Sequence, residues 1–228
     1  MEQLKYEDLH PGGFAGLRER RFVTDVRVFG LHKRPETANG IGNFVYLADA
    51  NFLPRGETGM HPHREIDVIS VMVEGRIDHA GSLENGASID AGMVQVQRAG
   101  AEGFTHNEIN PDDSPNHMIQ LWVLPDEEGE QAGYRVYSPA KGERLRVYGG
   151  DKNQDERFHS RTSIDVANLE AGQTLSHASE VMAYLTKGGG IANDEAVEAR
   201  TLIRADRLDF KAGKASQLIL IYTDNSSA

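Results

Sequence analysis

Four side chains in the first half of the chain can do metal chemistry, and they fall in two short strings. His61-Pro62-His63 and His106-Asn107-Glu108 each place two metal-capable side chains at positions i and i+2. On a β-strand alternate side chains point to the same face, so each pair would project together. Three imidazoles and one carboxylate converging on a point suit a divalent first-row metal that keeps positions open for substrate or O2. An enzyme is therefore the leading expectation. The 228-residue chain contains no cysteine, which excludes disulfides, a thiolate metal site and a nucleophilic thiol. Any bound metal must be held by nitrogen and oxygen.

Ligands have to be held rigid before a metal arrives, and the surrounding sequence reads as strands. Apolar pieces of strand character run over 44–47, 68–73, 93–97, 118–123, 163–166, 181–185 and 218–222. Between them stand turn signals: Glu74-Gly75, Glu84-Asn85-Gly86, Asp90-Ala91-Gly92, Glu170-Ala171-Gly172 and Lys211-Ala212-Gly213. Many short strands separated by turns predict an all-β sandwich or barrel. A single short helix is read over 193–199. Pro62 cannot donate a ladder hydrogen bond, so the first ligand pair belongs at a strand start or edge, near a barrel mouth.

The polar stretch opening with Pro125-Asp126-Glu127-Glu128-Gly129 breaks the strand pattern. It divides the chain into an N-terminal domain over 1–125, a linker over 126–142 and a C-terminal domain over 143–228. The halves look like copies: Gly56-Glu57-Thr58-Gly59-Met60-His61 aligns with Gly172-Gln173-Thr174-Leu175-Ser176-His177. A repeat of about a hundred residues implies two similar barrels rather than a solenoid. The second copy keeps His177 but has Ser179 where His63 would correspond, and nothing like His106-Asn107-Glu108 occurs between Arg204 and Gln217. Two barrels with one metal site, in the first, are expected.

The charge balance narrows the partners. With 35 acidic side chains against 24 Lys and Arg, the net charge is −11, the wrong sign for direct binding of nucleic acid or an anionic membrane. The basic patch Arg18-Glu19-Arg20-Arg21 carries its own acid and is too short to change this. The first eight residues lack the basic and apolar regions of a signal peptide, and no apolar run is long enough to span a bilayer. The expectation is a cytoplasmic globular protein.

The order of Gly59-Met60-His61-Pro62-His63, Glu74-Gly75, Gly92 and His106-Asn107-Glu108 is that of a cupin: ligands, turn, strand, glycine turn, ligands. The string His61-Pro62-His63-Arg64-Glu65-Ile66-Asp67-Val68-Ile69 resembles the pirin family more specifically. So do His79-Ala80-Gly81-Ser82, Gly92-Met93-Val94-Gln95, Ala99-Gly100, Thr105-His106-Asn107-Glu108 and Gln120-Leu121-Trp122. This resemblance implies a bicupin, two tandem barrels of the double-stranded β-helix or jelly-roll type. It implies one divalent metal, iron(II) before other first-row ions, held by His61, His63, His106 and Glu108. After His-Pro-His-Arg the family pattern continues with a glycine and an aromatic, where this chain has Glu65-Ile66; Asn107 stands where a serine is usual.

Some pirin-like proteins open flavonols such as quercetin with O2, and others are metal-dependent regulators that bind protein partners. For the enzyme, the resemblance implies a small aromatic substrate and O2, with ring opening and release of carbon monoxide. Glu108 would be the general base for the flavonol hydroxyl, and the three histidines would be ligands only. The alternative is a non-catalytic regulator whose metal state shapes a partner surface. A purely structural bicupin is disfavoured by the intact ligand set. An apolar pocket reaching the metal separates the first two readings, and Met60, Met72, Phe44 and Phe104 point to one. His79 and His117 read as groups behind the ligands or on the surface. His177 reads as a structural relic of His61, Arg64 as exposed or salt-bridged, and Trp122 and Phe104 as core or pocket lining. A monomer is expected.

Overall fold

The computed structural model describes residues 1–83 and 86–224, so Glu84 and Asn85 of the expected turn lie outside the described residues. Among the described residues the only α-helix is the four-residue Val26–Phe29, and the ladders between strands are all antiparallel. All seven sequence-read strand pieces lie wholly or almost wholly within observed strands. The chain forms two compact units, Leu9–Ser138 and Met1–Asp8 together with the chain from Pro139 onward.

In the first unit a six-stranded sheet runs Gly133–Tyr137, Val94–Arg98, Asp67–Glu74, His117–Val123, Phe44–Phe52, Leu17–Thr24. A four-stranded sheet runs His61–His63, Phe104–Ile109, Arg76–Gly81, Ser88–Asp90. Phe52, Met72 and Met118 from the large sheet pack with Ile77 and Ile89 from the small one, so the core lies between two inner faces. The central strands Phe44–Phe52 and Asp67–Glu74 are buried along nearly their whole length. Phe104–Ile109 instead alternates, with Phe104, His106 and Glu108 all buried. That period of two is what makes a His-x-Glu string project to one side.

The second unit repeats the plan. Its large sheet runs Glu2–Lys5, Thr201–Ala205, Val181–Lys187, Ser216–Thr223, Ser160–Leu169, Arg144–Gly150. Its small sheet runs Thr174–His177, Leu208–Ala212, Gly189–Ala192, Glu195–Glu198. A separate apolar core, including Leu175, Leu208 and Phe210, fills it. The fold is all-β, two tandem jelly-roll sandwiches of the cupin type.

Three features differ from the sequence reading. The stretch 126–142 contains the strand Gly133–Tyr137, which completes the first unit's large sheet by pairing with Val94–Arg98. Glu2–Lys5 pairs with Thr201–Arg204 and so belongs to the second unit. Its own polarity gives no sign of that distant partner. No helix forms over 193–199: Gly189–Ala192 and Glu195–Glu198 form a hairpin instead. Its two-residue loop, Asn193-Asp194, has both φ angles positive, at 45° and 68°. Asn and Asp tolerate that conformation, which matches the twist of the flanking strands.

Candidate metal centre

The small sheet of the first unit brings the two ligand strings together. His61–His63 is its edge strand and pairs with Phe104–Ile109, with His61 opposite His106 and His63 opposite Phe104. Pro62 is exposed on that edge, where its missing N–H costs no ladder bond. On the other side His79 pairs with Glu108, and Gly81 with His106. A Cβ at Gly81 would stand 2.1 Å from the Thr105 carbonyl and 2.8 Å from the His106 Cα, so only glycine lets this strand lie so close. Glu65, where the family pattern has glycine, holds φ at 50°. Its N–H donates to the Gly100 carbonyl and its Oε1 accepts from the Gly129 N–H, which hold the left-handed turn without a glycine.

Three ring nitrogens converge. His106 Nε2 lies 2.9 Å from His61 Nε2 and 3.1 Å from His63 Nε2. His61 Nδ1 is 2.9 Å from the Gly59 carbonyl, an acceptor, so the proton sits on Nδ1 and Nε2 presents a lone pair. His106 Nδ1 faces Gln97 Oε1 at 3.1 Å and His79 Nε2 at 2.6 Å, which fixes the same tautomer. Two lone pairs at 2.9 Å repel unless a cation lies between them. A proton is a poor candidate, because burial first and neighbouring imidazoles second push His63 down to about 4 and His106 further still. A metal fits: ligands about 2.1 Å from one ion and at right angles to each other stand about 3 Å apart.

Glu108 groups with His106 and His79, their ligand atoms within 4.8 Å of one another, whereas the second cluster of this kind is His61, His63 and His106. Both clusters share His106. The Glu108 carboxylate accepts from Gln120 Nε2 at 3.1 and 3.2 Å and from Ser70 Oγ at 3.4 Å. Burial raises it to about 7 despite those hydrogen bonds, which pull the other way. His79 sits behind the ligands, buried, with Gln95 Nε2 3.4 Å from its Nε2. Gln95 in turn donates to Gln97 and accepts from the Tyr134 hydroxyl. The sequence spacing gave no sign of Gln95, Gln97 or Ser70; their inward positions follow from the register of Val94–Arg98 against Asp67–Glu74.

A cavity of about 470 Å³ opens onto His61, His63 and Glu108. Its apolar walls come from Phe14, Leu17, Tyr46, Phe52, Ile66 and Trp122. The residues expected to signal a pocket lie elsewhere. Met60 is exposed, Met72 is in the core between the sheets, Phe44 is fully buried, and Phe104 packs on Val68 and Ala99. Arg64 is exposed at the cavity wall, and His117 is 3.0 Å from buried Asp49. In the second unit His177 contacts Ser179 at 2.9 Å and the Tyr222 ring. The residue paired with it, as His106 is with His61, is Leu208, and Phe210 follows at the place of Glu108. Among the described residues both potential metal clusters lie in the first unit.

The family model for Pirin matches residues 28–123. A Pseudomonas aeruginosa protein named provisionally as a quercetin 2,3-dioxygenase is 35% identical over 147 residues, 61% of this chain and 63% of that relative. The quercetin 2,3-dioxygenase of Escherichia coli is 32% identical over 90 residues, 38% of each chain. Over the whole fold, the solved structure of the Escherichia coli pirin YhhW in complex with nickel(II) superposes with a TM-score of 0.82. It shares 20% identity and covers 96% of this chain and 97% of that one.

Proposed function

We propose, from the match of residues 28–123 to the Pirin family model and from the fold of two cupin-type sandwiches, a metal-dependent dioxygenase that opens a flavonol of the quercetin kind with O2. The observation that carries this reading is the apolar cavity ending on the converging imidazoles. A regulator with no small-molecule substrate has no use for such a space. His61, His63 and His106, with Glu108, would hold one divalent ion, iron(II) first among first-row metals. Such an ion supplies a Lewis-acid and redox centre for the flavonol and O2.

The chain's own groups account for the rest. Burial raises the Glu108 carboxylate to about 7 in the metal-free chain, and its place beside the imidazoles suits it to take the flavonol hydroxyl proton. Gln120 and Ser70 orient it. Burial holds His63 and His106 neutral, so neither competes for that proton. Tyr46 and Trp122, stacked with ring centroids 4.2 Å apart, give a flat aromatic wall that excludes water from one side of the cavity.

The test is anaerobic loading with Fe(II), then quercetin and O2, following flavonol loss and carbon monoxide together. Turnover is expected in the native chain and a loss of about a hundredfold or more in Glu108→Ala, the scale of a missing general base. No turnover at full metal occupancy would overturn the flavonol reading and put the regulatory one first.

A further inference from the structure

The cavity has a second polar end. Glu19 and Arg21 lie two residues apart on the strand Leu17–Thr24, and both line it. Their register runs straight across the large sheet: Arg21 pairs with Ala48, and Ala48 with Gln120, whose amide holds Glu108. Neighbouring strands are about 4.8 Å apart, so Arg21 is rooted about 10 Å from Gln120. Between them Ala48 offers only a methyl group, and Ala50 does the same in the adjacent row between Glu19 and Met118. A flat ring system can lie over that floor, beside the aromatic wall of Tyr46 and Trp122, with one end towards the histidines and the other at Arg21.

The far end is built rather than incidental. Glu19 is 4% exposed, accepts from Arg21 Nε at 2.7 Å and from the Tyr46 hydroxyl at 2.9 Å, and pairs with Arg21 Nη2 at 2.6 Å. Arg21 also hydrogen-bonds Tyr46, and with these contacts made 37% of its side chain stays open, on a guanidinium with five donors. The register shifts just after Arg21, between it and Val23, a bulge of the kind that re-aims a side chain beside a site. Glu19 offsets the positive charge, so the pair suits a phenolic or carbonyl oxygen better than a carboxylate.

We propose that Arg21, held in place by Glu19, is a specificity-determining residue that reads a phenolic hydroxyl at the end of the substrate remote from the histidines. The substrate class is then a polyphenol with oxygen functions at both ends, not any ring system bearing a single chelating hydroxyl. This inference rests on the proposed flavonol-binding role of the cavity.

Trp122 is the single tryptophan of the chain and lines the cavity, so quenching of its fluorescence reports occupancy without turnover. The metal-loaded protein is titrated anaerobically with quercetin and with 3-hydroxyflavone, which keeps the chelating hydroxyl and lacks the distal ones. Quercetin is expected to bind about tenfold more tightly, roughly 1.4 kcal/mol, as suits a hydrogen bond from a charged donor. Arg21→Met should abolish that preference while leaving 3-hydroxyflavone unchanged, and Glu19→Gln, which keeps shape but unpins the guanidinium, should reduce it. Equal binding of the two flavonols, equal losses for both in Arg21→Met, or absence of quenching would each overturn the proposal. Turnover of quercetin without the preference overturns only this inference. The Arg21-dependent preference without turnover supports it and removes only the dioxygenase reading.

Discussion

His79 shows how much a ligand depends on the group behind it. Its Nε2 lies 2.6 Å from His106 Nδ1, on the side away from the convergence point. Such partners fix the tautomer and aim of a metal-binding imidazole, and removing one costs about 10–100-fold in metal affinity. His79→Phe should therefore weaken Ni(II) binding by that factor in calorimetry, and unchanged affinity would assign the pairing to packing alone. The same burial makes the metal-free protein sensitive to acid. His63 and His79 are held at about 4 against an ordinary 6.5, with His106 lower again, chiefly by desolvation. Between those values the unfolded chain binds protons that the folded one refuses, so stability falls as pH drops from 6.5 towards about 4. Glu108 acts in the opposite sense: raised from 4.5 to about 7, it contributes stability below 4.5 that is lost as pH rises through 7. Three imidazoles outweigh one carboxyl, so the melting temperature of the metal-free protein should fall between pH 6.5 and 4. A melting temperature that rises on acidification would contradict the buried neutral histidines.

At the scale of elements, the site depends on how closely two strands approach. Gly81 lies opposite His106, with no room for a Cβ against the Thr105 carbonyl. Gly81→Ala must push Phe104–Ile109 outward, at a cost of about 1–3 kcal/mol for overpacking. It should also displace His106 from its partners. Thermal denaturation and metal titration should both register the change, and a stable variant with native metal affinity would mean that the strand moves without carrying the ligand. The two ligand strings were legible because strand periodicity is local: alternate residues share a face wherever the strand sits. The hairpin over 189–198 was missed because Asn193-Asp194 sits in an alternation too short to outweigh a helical reading, although both residues suit a tight turn. The strand Gly133–Tyr137 was hidden by the acidic run before it and is only partly buried, as suits a sheet edge.

At the scale of the whole molecule, the internal repeat is complete in architecture and incomplete in chemistry. Each unit has a six-stranded and a four-stranded sheet in the same order, but Leu208 and Phe210 occupy the places of His106 and Glu108. His177→Ala should therefore leave metal content per chain unchanged when measured by elemental analysis, and a loss of metal would sink the assignment of a single site to the first unit. The sequence alone determined the all-β class, the doubled plan and the four candidate ligands, because periodicity, turn residues and donor chemistry act within a few residues. The tertiary structure decided that Glu2–Lys5 joins the second unit, that Gln95, Gln97 and His79 stand behind His106, and that Glu19 and Arg21 share a cavity with the ligands. Those relations depend on which strands pair and in what register. That choice is settled by burying whole sheet faces together, and no short window of sequence encodes it.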